Sequence, residues 1–343
     1  MDIAIKKAVR HSVNLIMSIS GVSGSGKTYS ALLVAAGLAG PNGRVGFIDT
    51  ENGRGCMYAD SPGIVAALSN GYETAEMTAP FSPARYMEFI DAFERAGVKV
   101  LVIDSASHEW EGVGSCSEMA EADKGRWNRA KKEHKRFVMR LLNSSMHIII
   151  CLRAREKSKI IDKRDSPDGK EHVIPLGIQP VAEKSFVFEM MCSWLVREGT
   201  HLAEPIKLPE QFQKLFPEAR LLTKADGDAI RLWNEGAPAM DAMEKLTRQS
   251  RAAALEGMVS YQTFFKNLAK PQQATLSTSP AHAENKQIAA QADADAIEAR
   301  AEELSAHPRF RALLGAIGHE SWPDVPAGKR ADVLSEIERE LAS

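Results

Sequence analysis

Residues 15–28 read Leu-Ile-Met-Ser-Ile-Ser-Gly-Val-Ser-Gly-Ser-Gly-Lys-Thr, and this stretch decides the fold of the first part of the chain. Its apolar half predicts a strand, residues 27–39 predict a helix, and G-x-x-x-x-G-K-T stands between them. Glycine adopts backbone angles that a Cβ resists, so the amides of such a loop can turn inward around an anion. The stretch therefore predicts a phosphate-binding loop, or P-loop, between a buried strand and a helix.

The chemistry of the loop indicates a nucleotide. The N-terminal end of the following helix directs its positive dipole end at the phosphates. Lys27 can reach the β- and γ-phosphate oxygens, and the Thr28 hydroxyl can ligate Mg²⁺. We therefore expect ATP and Mg²⁺ as cofactors. The residues predicted to bind the nucleotide are Gly21, Ser23, Gly24, Ser25, Gly26, Lys27, Thr28 and Tyr29.

Composition excludes several classes of protein. The chain has 343 residues, of which 44% are hydrophobic and 26% charged, as in soluble globular proteins. A net charge of −2 argues against a uniformly basic nucleic-acid coat, although a local basic patch is still allowed. Four scattered cysteines without a C-x-x-C pair argue against a disulfide framework or a zinc motif. With no long apolar stretch, we expect no membrane span and a cytoplasmic protein.

Apolar runs alternate with helical patterns through the first 235 residues, which is typical of a mostly parallel sheet covered on both faces. The predicted strands are 14–20, 44–49, 73–78, 99–104, 146–152 and 186–197. The predicted helices are 27–39, 82–97, 126–144 and 225–235. After Gly236 the strand pattern stops. The sequence therefore predicts an α/β nucleotide-binding domain over 1–236, a helical extension over 237–270, a linker over 271–283 and a helical C-terminal module over 284–343.

A second nucleotide element follows at residues 99–104. An apolar strand ending in Asp104 is a Walker B pattern, whose carboxylate holds Mg²⁺ together with Thr28. The next residue is Ser105, so a glutamate directly after the aspartate is missing and the base must come from elsewhere. Glu51, just past the second strand, can lie beside the γ-phosphate and orient the attacking water. Glu109 and Glu111 are the alternative bases.

Here the sequence resembles a known group. The segment Phe47-Ile48-Asp49-Thr50-Glu51 is similar to the one that carries the catalytic glutamate in RecA-type recombinases. Together with the P-loop and the Val-Ile-Asp-Ser segment, it resembles the RecA-like core over roughly residues 10–235. The loop sequences also resemble phage-encoded P-loop nucleotide-binding proteins, some relatives of which anneal single-stranded DNA. The resemblance implies a RecA-like fold, ATP hydrolysis and, if the chain is phage-encoded, a bacterial host cell.

Two positions depart from the recombinase pattern. The core strand that should end in a phosphate-sensing glutamine ends here in Arg153, whose guanidinium can also sense the γ-phosphate. A surface role for this arginine is equally open. Lys184, before the last predicted strand, is the best match to the cation that reaches a neighbouring subunit's nucleotide, and a solvated lysine is its alternative. A homo-oligomer is therefore possible.

The resemblance implies that two loops hold single-stranded DNA. The first, 105–125, is acidic, but Trp110 can stack on a base; its alternative is a lid over the nucleotide. The second, 153–170, is net basic and places Arg155, Lys157 and Lys159 beside the nucleotide. A solvated charged loop is the alternative for this segment. Basic residues on the predicted helix 126–144 would extend the positive track.

Two functions from different classes follow. The first is an ATP-hydrolysing DNA-handling protein of phage recombination, single-strand annealing or replication, with Lys27, Glu51 and Arg153 as catalytic residues. The second is a nucleotide-dependent regulatory module, without direct DNA binding, whose helical tail recruits an unknown protein. A small-molecule P-loop kinase is less favoured because no acceptor pocket is evident.

Overall fold

A computed structural model describes residue 10 and residues 12–122, 124, 127–161, 172–236 and 242–342. The chain divides into two compact units, Met1–Ala239 and Met240–Ser343. The first unit holds all strands found in the described residues, and the second is helical. Within this described part, no helix is both long and apolar enough to cross a bilayer.

The first unit is built on one mixed sheet. Its strands, in chain order, are β1 (Ile16–Gly21), β2 (Val45–Asp49), β3 (Glu73–Glu76), β4 (Val100–Asp104), β5 (His147–Ile161), β6 (His172–Pro180), β7 (Cys192–Val196) and β8 (Ala203–Lys207). They lie in the order β3-β2-β4-β5-β1-β7-β8. The pairs from β3 to β7 are parallel, whereas β8 is antiparallel to β7, and β6 is antiparallel to the far half of β5.

This strand order confirms the predicted RecA-like α/β core. The strand before the P-loop, β1, is separated from the Walker B strand, β4, by β5. Because the three strands are parallel, the carboxyl ends of β1 and β4 lie on the same edge of the sheet beside residues 151–153 of β5, and ligands of such sheets bind at this edge.

Helices cover both faces of the sheet, because its strands carry apolar side chains on both sides. The helices of the first unit are α1 (Lys27–Ala39), α2 (Pro62–Ala67), α3 (Pro83–Arg95), α4 (Ser107–Trp110), α5 (Cys116–Ala122), α6 (Asn128–Leu142), α7 (Phe186–Glu189), α8 (Glu210–Gln213) and α9 (Lys224–Glu235). One core cluster joins β1 to α1 and α9, through Met17, Leu32 and Ile230. The other joins β4 to α3 and α6, through Ile103 and Phe137.

Helix α1, which begins at the P-loop, is held in place by an unusually close helix crossing. A Cβ on Gly37 would lie 2.0 Å from the Lys224 carbonyl oxygen, and a Cβ on Gly227 would lie 2.1 Å from the Val34 carbonyl oxygen. Only glycine at both positions allows α1 and α9 to touch backbone to backbone. This crossing of α1 and α9 fixes the orientation of α1, and therefore the direction of its N-terminus at the P-loop.

One predicted strand is shorter than expected. Residues 186–197 were expected to form one extended strand, but Phe186–Glu189 is the short helix α7 and only Cys192–Val196 is strand. The Phe186 side chain is buried and packs on His134 and Phe137. Burial of this aromatic ring against α6 therefore prevails over the β propensity of the segment.

The second unit consists of α10 (Ala242–Leu255), α11 (Met258–Asn267), α12 (Lys270–Ser277), α13 (Pro280–Ser305), α14 (Phe310–Ala316) and α15 (Arg330–Ala342). The prediction of a linker over 271–283 is wrong. Pro271 and Pro280 occupy the first turns of α12 and α13, where a missing amide costs nothing. Ser279 caps α13 by accepting a hydrogen bond from the Ala281 amide, and Leu276 is buried.

Candidate nucleotide-binding site

The P-loop joins β1 to α1 through glycines in the left-handed region. Gly24 has φ 81° and Gly26 has φ 91°, angles that side chains resist. Lys27, at the start of α1, is 9% exposed, and the Ser25 hydroxyl is buried without a hydrogen-bond partner. A buried lysine beside an unsatisfied hydroxyl and a helix N-terminus form an anion site. The predicted residues Ser23 and Tyr29 lie in the same segment, exposed and half-buried respectively.

The sheet register brings three predicted residues to this edge. Asp49 of β2 is paired with Asp104 of β4, and Asp104 is paired with Cys151 of β5. Arg153 of β5 is paired with Gly21, the first residue of the P-loop motif. The structure therefore places the ends of β2 and β4 and the middle of β5 beside the phosphate-binding loop.

Thr28 and Asp104 form the part of the site that fits Mg²⁺. The Thr28 hydroxyl donates a hydrogen bond of 2.5 Å to Asp104 Oδ2, while Oδ1 is buried without a partner. Burial raises the pKa of Asp104, and Lys27 and Thr28 offset only part of this effect. Hydroxyl and carboxylate oxygens are the ligands that Mg²⁺ prefers. A cation here would supply the missing partner of Oδ1 and stabilise the ionised carboxylate.

Glu51 is held by a turn that its neighbours build. Asp49 Oδ1 accepts a hydrogen bond of 2.7 Å from the Glu51 amide, and Asp49 Oδ2 accepts one of the same length from the Gly55 amide. Arg153 Nε then donates to Glu51 Oε1 at 2.8 Å. Burial raises the pKa of Glu51, but the ion pair with Arg153, together with the charge of Lys27, outweighs burial, so the net pKa is lowered.

A hydrogen-bond network that the sequence reasoning missed ties the ends of β2 and β4 together. Thr50 Oγ1 accepts from the Ser105 amide at 2.8 Å and lies 2.8 Å from His108 Nδ1. His108 stacks on Phe81. Burial and the charge of Arg153 lower the pKa of His108, so its imidazole is neutral at neutral pH. The polar and aromatic residues 108–110, directly after the Walker B strand, could have indicated this network, but the sequence analysis placed them in a loop.

Two further neighbours of the site had no sequence signal. His201, in the turn between β7 and β8, donates from Nδ1 to the Ser25 carbonyl oxygen at 2.7 Å. The Tyr58 hydroxyl interacts with Thr28. Burial and the charge of Asp104 raise the pKa of Tyr58. Both residues follow segments without a recognisable motif, and only the tertiary fold brings them to the P-loop.

The alternative bases have other partners. Glu109 has a side chain that is 2% exposed, and it interacts with His134 Nδ1 at 3.0 Å and with Cys116 Sγ at 3.2 Å. Glu111 accepts two hydrogen bonds of 2.9 Å from Arg155. Of the three glutamates, Glu51 is the one held by the cationic end of β5 beside the P-loop.

The predicted DNA loops have regular structure. Segment 105–125 contains α4 and α5, and Trp110 stacks on Trp127 with ring centroids 5.3 Å apart. The second segment is not a loop from Arg153 onward, because β5 continues to Ile161 and pairs with β6. Lys157 Nζ lies 3.5 Å from the Pro180 carbonyl oxygen. The side chain of Lys159 and residues 162–171 lie outside the described part of the chain.

Lys184, the predicted cation for a neighbouring subunit, lies two residues before α7 rather than directly before a strand. Its side chain is exposed. The structure therefore leaves it on the surface, away from the hydrogen bonds that join Glu51, Arg153 and the P-loop strands.

The comparison with protein families agrees with this geometry. The sequence profile of a family described as an AAA domain matches residues 14–181, which run from β1 to just beyond β6. Residues 14–181 are therefore similar to an AAA-type nucleotide-binding domain. No curated protein matches it. A KaiC-like protein, PH0186, from the hyperthermophilic archaeon Pyrococcus horikoshii OT3, is similar at 12% identity and a TM-score of 0.32, over 64% of this chain and 92% of that chain. At that score the likeness carries no argument, so the fold assignment rests on the strand order.

Proposed function

We propose that this chain binds ATP with Mg²⁺ and hydrolyses it, and that hydrolysis is coupled to single-stranded DNA. The observation that carries the proposal is the Glu51–Arg153 ion pair, which joins the turn after β2 to the strand that lies between the P-loop and Walker B strands. A carboxylate in this place can orient water, and the arginine that contacts it can respond to phosphate.

The binding step uses the P-loop. Its amides and the N-terminus of α1 surround the phosphates, and Lys27 contacts the β- and γ-phosphate oxygens. Thr28 and Asp104 would hold Mg²⁺, which supplies charge neutralisation at the phosphates when bound. Because Lys27 is buried, its interaction with phosphate is weakly screened by water.

The hydrolytic step uses Glu51. Because its pKa is lowered, Glu51 is ionised at neutral pH and can accept a hydrogen bond from the attacking water. Asp49 fixes the backbone of Glu51 through the amide hydrogen bond, so the carboxylate is positioned before substrate arrives. Arg153 uses Nε for Glu51, and its remaining N–H groups are available to a γ-phosphate.

The support for DNA comes from the sequence of β5. Arg153, Arg155 and Lys157 occur at every second position of one strand, and Lys159 continues the spacing. Residues two apart lie on the same face of a strand, about 7 Å from each other. Such a row matches a phosphate backbone, and its first member contacts Glu51. DNA on this row would therefore act directly on the proposed catalytic glutamate.

One observation favours the alternative function, a nucleotide-dependent regulatory module without DNA. Arg155 is paired with Glu111 through two hydrogen bonds, and Trp110 is paired with Trp127, so two of the predicted DNA contacts have protein partners. In that function the helical second unit, Met240–Ser343, binds a partner protein.

The deciding experiment is steady-state ATP hydrolysis by the full chain with and without single-stranded DNA. The DNA-handling function predicts that DNA stimulates turnover and that ATP tightens DNA binding. ATP hydrolysis that is indifferent to DNA, together with no DNA binding in any nucleotide state, would favour the regulatory function. No nucleotide binding at all would contradict both.

A further inference from the structure

A buried cluster of three metal-ligating side chains lies outside the nucleotide site. Glu109 of α4, Cys116 of α5 and His134 of α6 place their ligand atoms within 4.8 Å of one another. All three residues are buried, with relative exposures of 1%, 0% and 7%. Among the described residues, this is the one group of its kind. Each ligand comes from a different helix, so the cluster joins three elements that are separate in sequence.

The Glu109 carboxylate links the other two side chains of the cluster. His134 Nδ1 lies 3.1 Å from Glu109 Oε1 and 3.0 Å from Oε2. Cys116 Sγ lies 3.2 Å from Glu109 Oε1 and 3.5 Å from the Ala130 carbonyl oxygen. An imidazole nitrogen, a thiol and a carboxylate therefore converge on one buried point.

The surroundings select the chemistry of a ligand. Trp110 and Phe186 each pack edge-on against His134 with ring centroids 5.3 Å away, and Ala120 and Ala130 pack on Cys116. These apolar neighbours enclose the three ligand groups, all of which are buried. A thiolate, an imidazole and a carboxylate are together the donor set of Zn²⁺, which binds them at about 2.0–2.3 Å. The separations of 3.0 Å between Glu109 and His134 and 3.2 Å between Glu109 and Cys116 suit ligands of one central ion.

We propose that Glu109, Cys116 and His134 form a Zn²⁺-binding site that fastens α4, α5 and α6 together. Zn²⁺ displaces the Cys116 proton to solvent and forms a zinc–sulfur bond. In the metal-bound form the neutral imidazole of His134 carries its proton on Nε2, so the lone pair of Nδ1 binds the ion. A Glu109 oxygen is the third ligand, and a water fills the fourth position. The site does not depend on the proposed nucleotide function. It does lie one residue from His108, which contacts Thr50, so the ion would also fix the segment after the Walker B strand.

The test uses the chelator-treated full chain and Co²⁺ as an optical probe, followed by displacement with Zn²⁺. We expect one equivalent of Co²⁺ to give a thiolate-to-cobalt absorption band, and one equivalent of Zn²⁺ to abolish it. Cys116→Ser should remove the band and weaken Zn²⁺ binding at least about 10-fold, and His134→Gln should weaken it similarly. Cys56→Ser is the matched control, because Cys56 is an exposed thiol away from the cluster, and it should leave band and affinity unchanged.

Thermal unfolding provides a second readout that does not need the absorption band. Zn²⁺ should raise the unfolding midpoint of the wild type and of Cys56→Ser, and should leave that of Cys116→Ser unchanged. If the wild type binds no Co²⁺ and Zn²⁺ does not raise its midpoint, the cluster is a hydrogen-bonded triad and the proposal is wrong. A band that persists in Cys116→Ser would equally overturn it.

Discussion

Glu51, in the turn after β2, and Glu109, on α4, lie in neighbouring regions of the same unit and have different partners. Glu51 contacts Arg153, an arginine that is 47% exposed at its side chain and lies beside the P-loop strand. Glu109 contacts His134 and Cys116 among aromatic rings and is closed off from solvent. Each glutamate lies a few residues after a strand that ends at the nucleotide-binding edge of the sheet. Position in the sequence alone therefore does not show which of them is the catalytic base.

The comparison shows what a hydrolytic carboxylate needs and what a structural one needs. A group that orients water must be ionised and must keep a free side towards the reacting phosphate. Glu51 meets the first condition because its pKa is lowered, and its partner is itself a phosphate-binding type of side chain. Glu109 uses both of its oxygens for its own neighbours.

Lys27→Ala should remove hydrolysis altogether and greatly weaken nucleotide binding. The variant loses the buried cation at the β- and γ-phosphates, a loss of more than about 10³-fold in turnover. Steady-state ATPase and a fluorescent-nucleotide titration measure both effects. Normal turnover in this variant would show that the P-loop does not bind the reacting phosphates. The assignment of Glu51 over Glu109 would then also fail, because it depends on phosphate bound at that loop.

Asp104→Asn should lower turnover by about 10²-fold and raise the Mg²⁺ concentration needed for half-maximal activity. The amide keeps the shape of the side chain but offers a cation a neutral oxygen in place of the buried carboxylate. A titration of ATPase against Mg²⁺ at fixed ATP is the measurement. An unchanged Mg²⁺ requirement would show that Asp104 is not part of the cation site.

Arg153→Gln should lower turnover by about 10-fold or more and change its pH dependence. In the wild type the lowered pKa of Glu51 keeps the carboxylate ionised down to below its usual pKa of 4.5. Without the guanidinium, burial dominates and the pKa of Glu51 rises, so activity is lost at a higher pH on the acid side. A pH–rate profile that superimposes on the wild type would mean that Arg153 does not tune Glu51.

Neutralising Arg155, Lys157 and Lys159 together should weaken binding of single-stranded DNA and leave basal ATPase intact. Each lost phosphate contact lowers the slope of log K against log salt by about 0.7. Because Arg155 is already paired with Glu111, its own share should be the smallest. The control is Lys266, Lys270 and Lys286 replaced by Gln, three exposed lysines of the second unit that give the same change in net charge. If both triple variants lose the same DNA affinity, the basic residues of β5 contribute only nonspecific charge and do not form a DNA-binding site.

Truncation after Gly236 should have the smallest effect on nucleotide affinity, since every element of the candidate site precedes it. Isothermal titration with a slowly hydrolysed ATP analogue measures this. A large loss of affinity would mean that the second unit contributes to the site, and native mass measurement of the same samples would show whether nucleotide drives assembly.

The sequence predicted those parts of the site that depend on local patterns. The P-loop has a fixed spacing and glycines that its backbone angles require, and the strand ending in Asp104 has an apolar run, so both were recognisable. The mostly parallel sheet was predicted from alternating strands and helices, and its RecA-like character from the resemblance of the P-loop, the Phe47–Glu51 segment and the Walker B strand to that core. Local rules failed at residues 271–283, where Pro271 and Pro280 suggested a linker although proline is also typical of a helix's first turn.

The remaining parts depend on contacts between residues far apart in sequence. Arg153 was recognised as a candidate, but its pairing with Glu51 spans 102 residues and no pattern shows it. His201 reaches Ser25 across 176 residues, and His134 reaches Glu109 across 25. The continuation of β5 past Arg153 was missed because this segment is rich in charged residues, as solvated loops are, and the pairing with β6 is visible only in the structure.

The most direct test of the account compares Glu51→Gln with Glu109→Gln in single-turnover ATP hydrolysis, at matched nucleotide occupancy. Both substitutions keep the shape of the side chain and remove one charge. We predict that Glu51→Gln binds ATP normally and slows hydrolysis by about 10²–10⁴-fold, whereas Glu109→Gln stays within about 10-fold of the wild type. The reverse result, with Glu109→Gln inactive and Glu51→Gln active while both variants bind ATP, would contradict the assignment of Glu51 as the water-orienting glutamate.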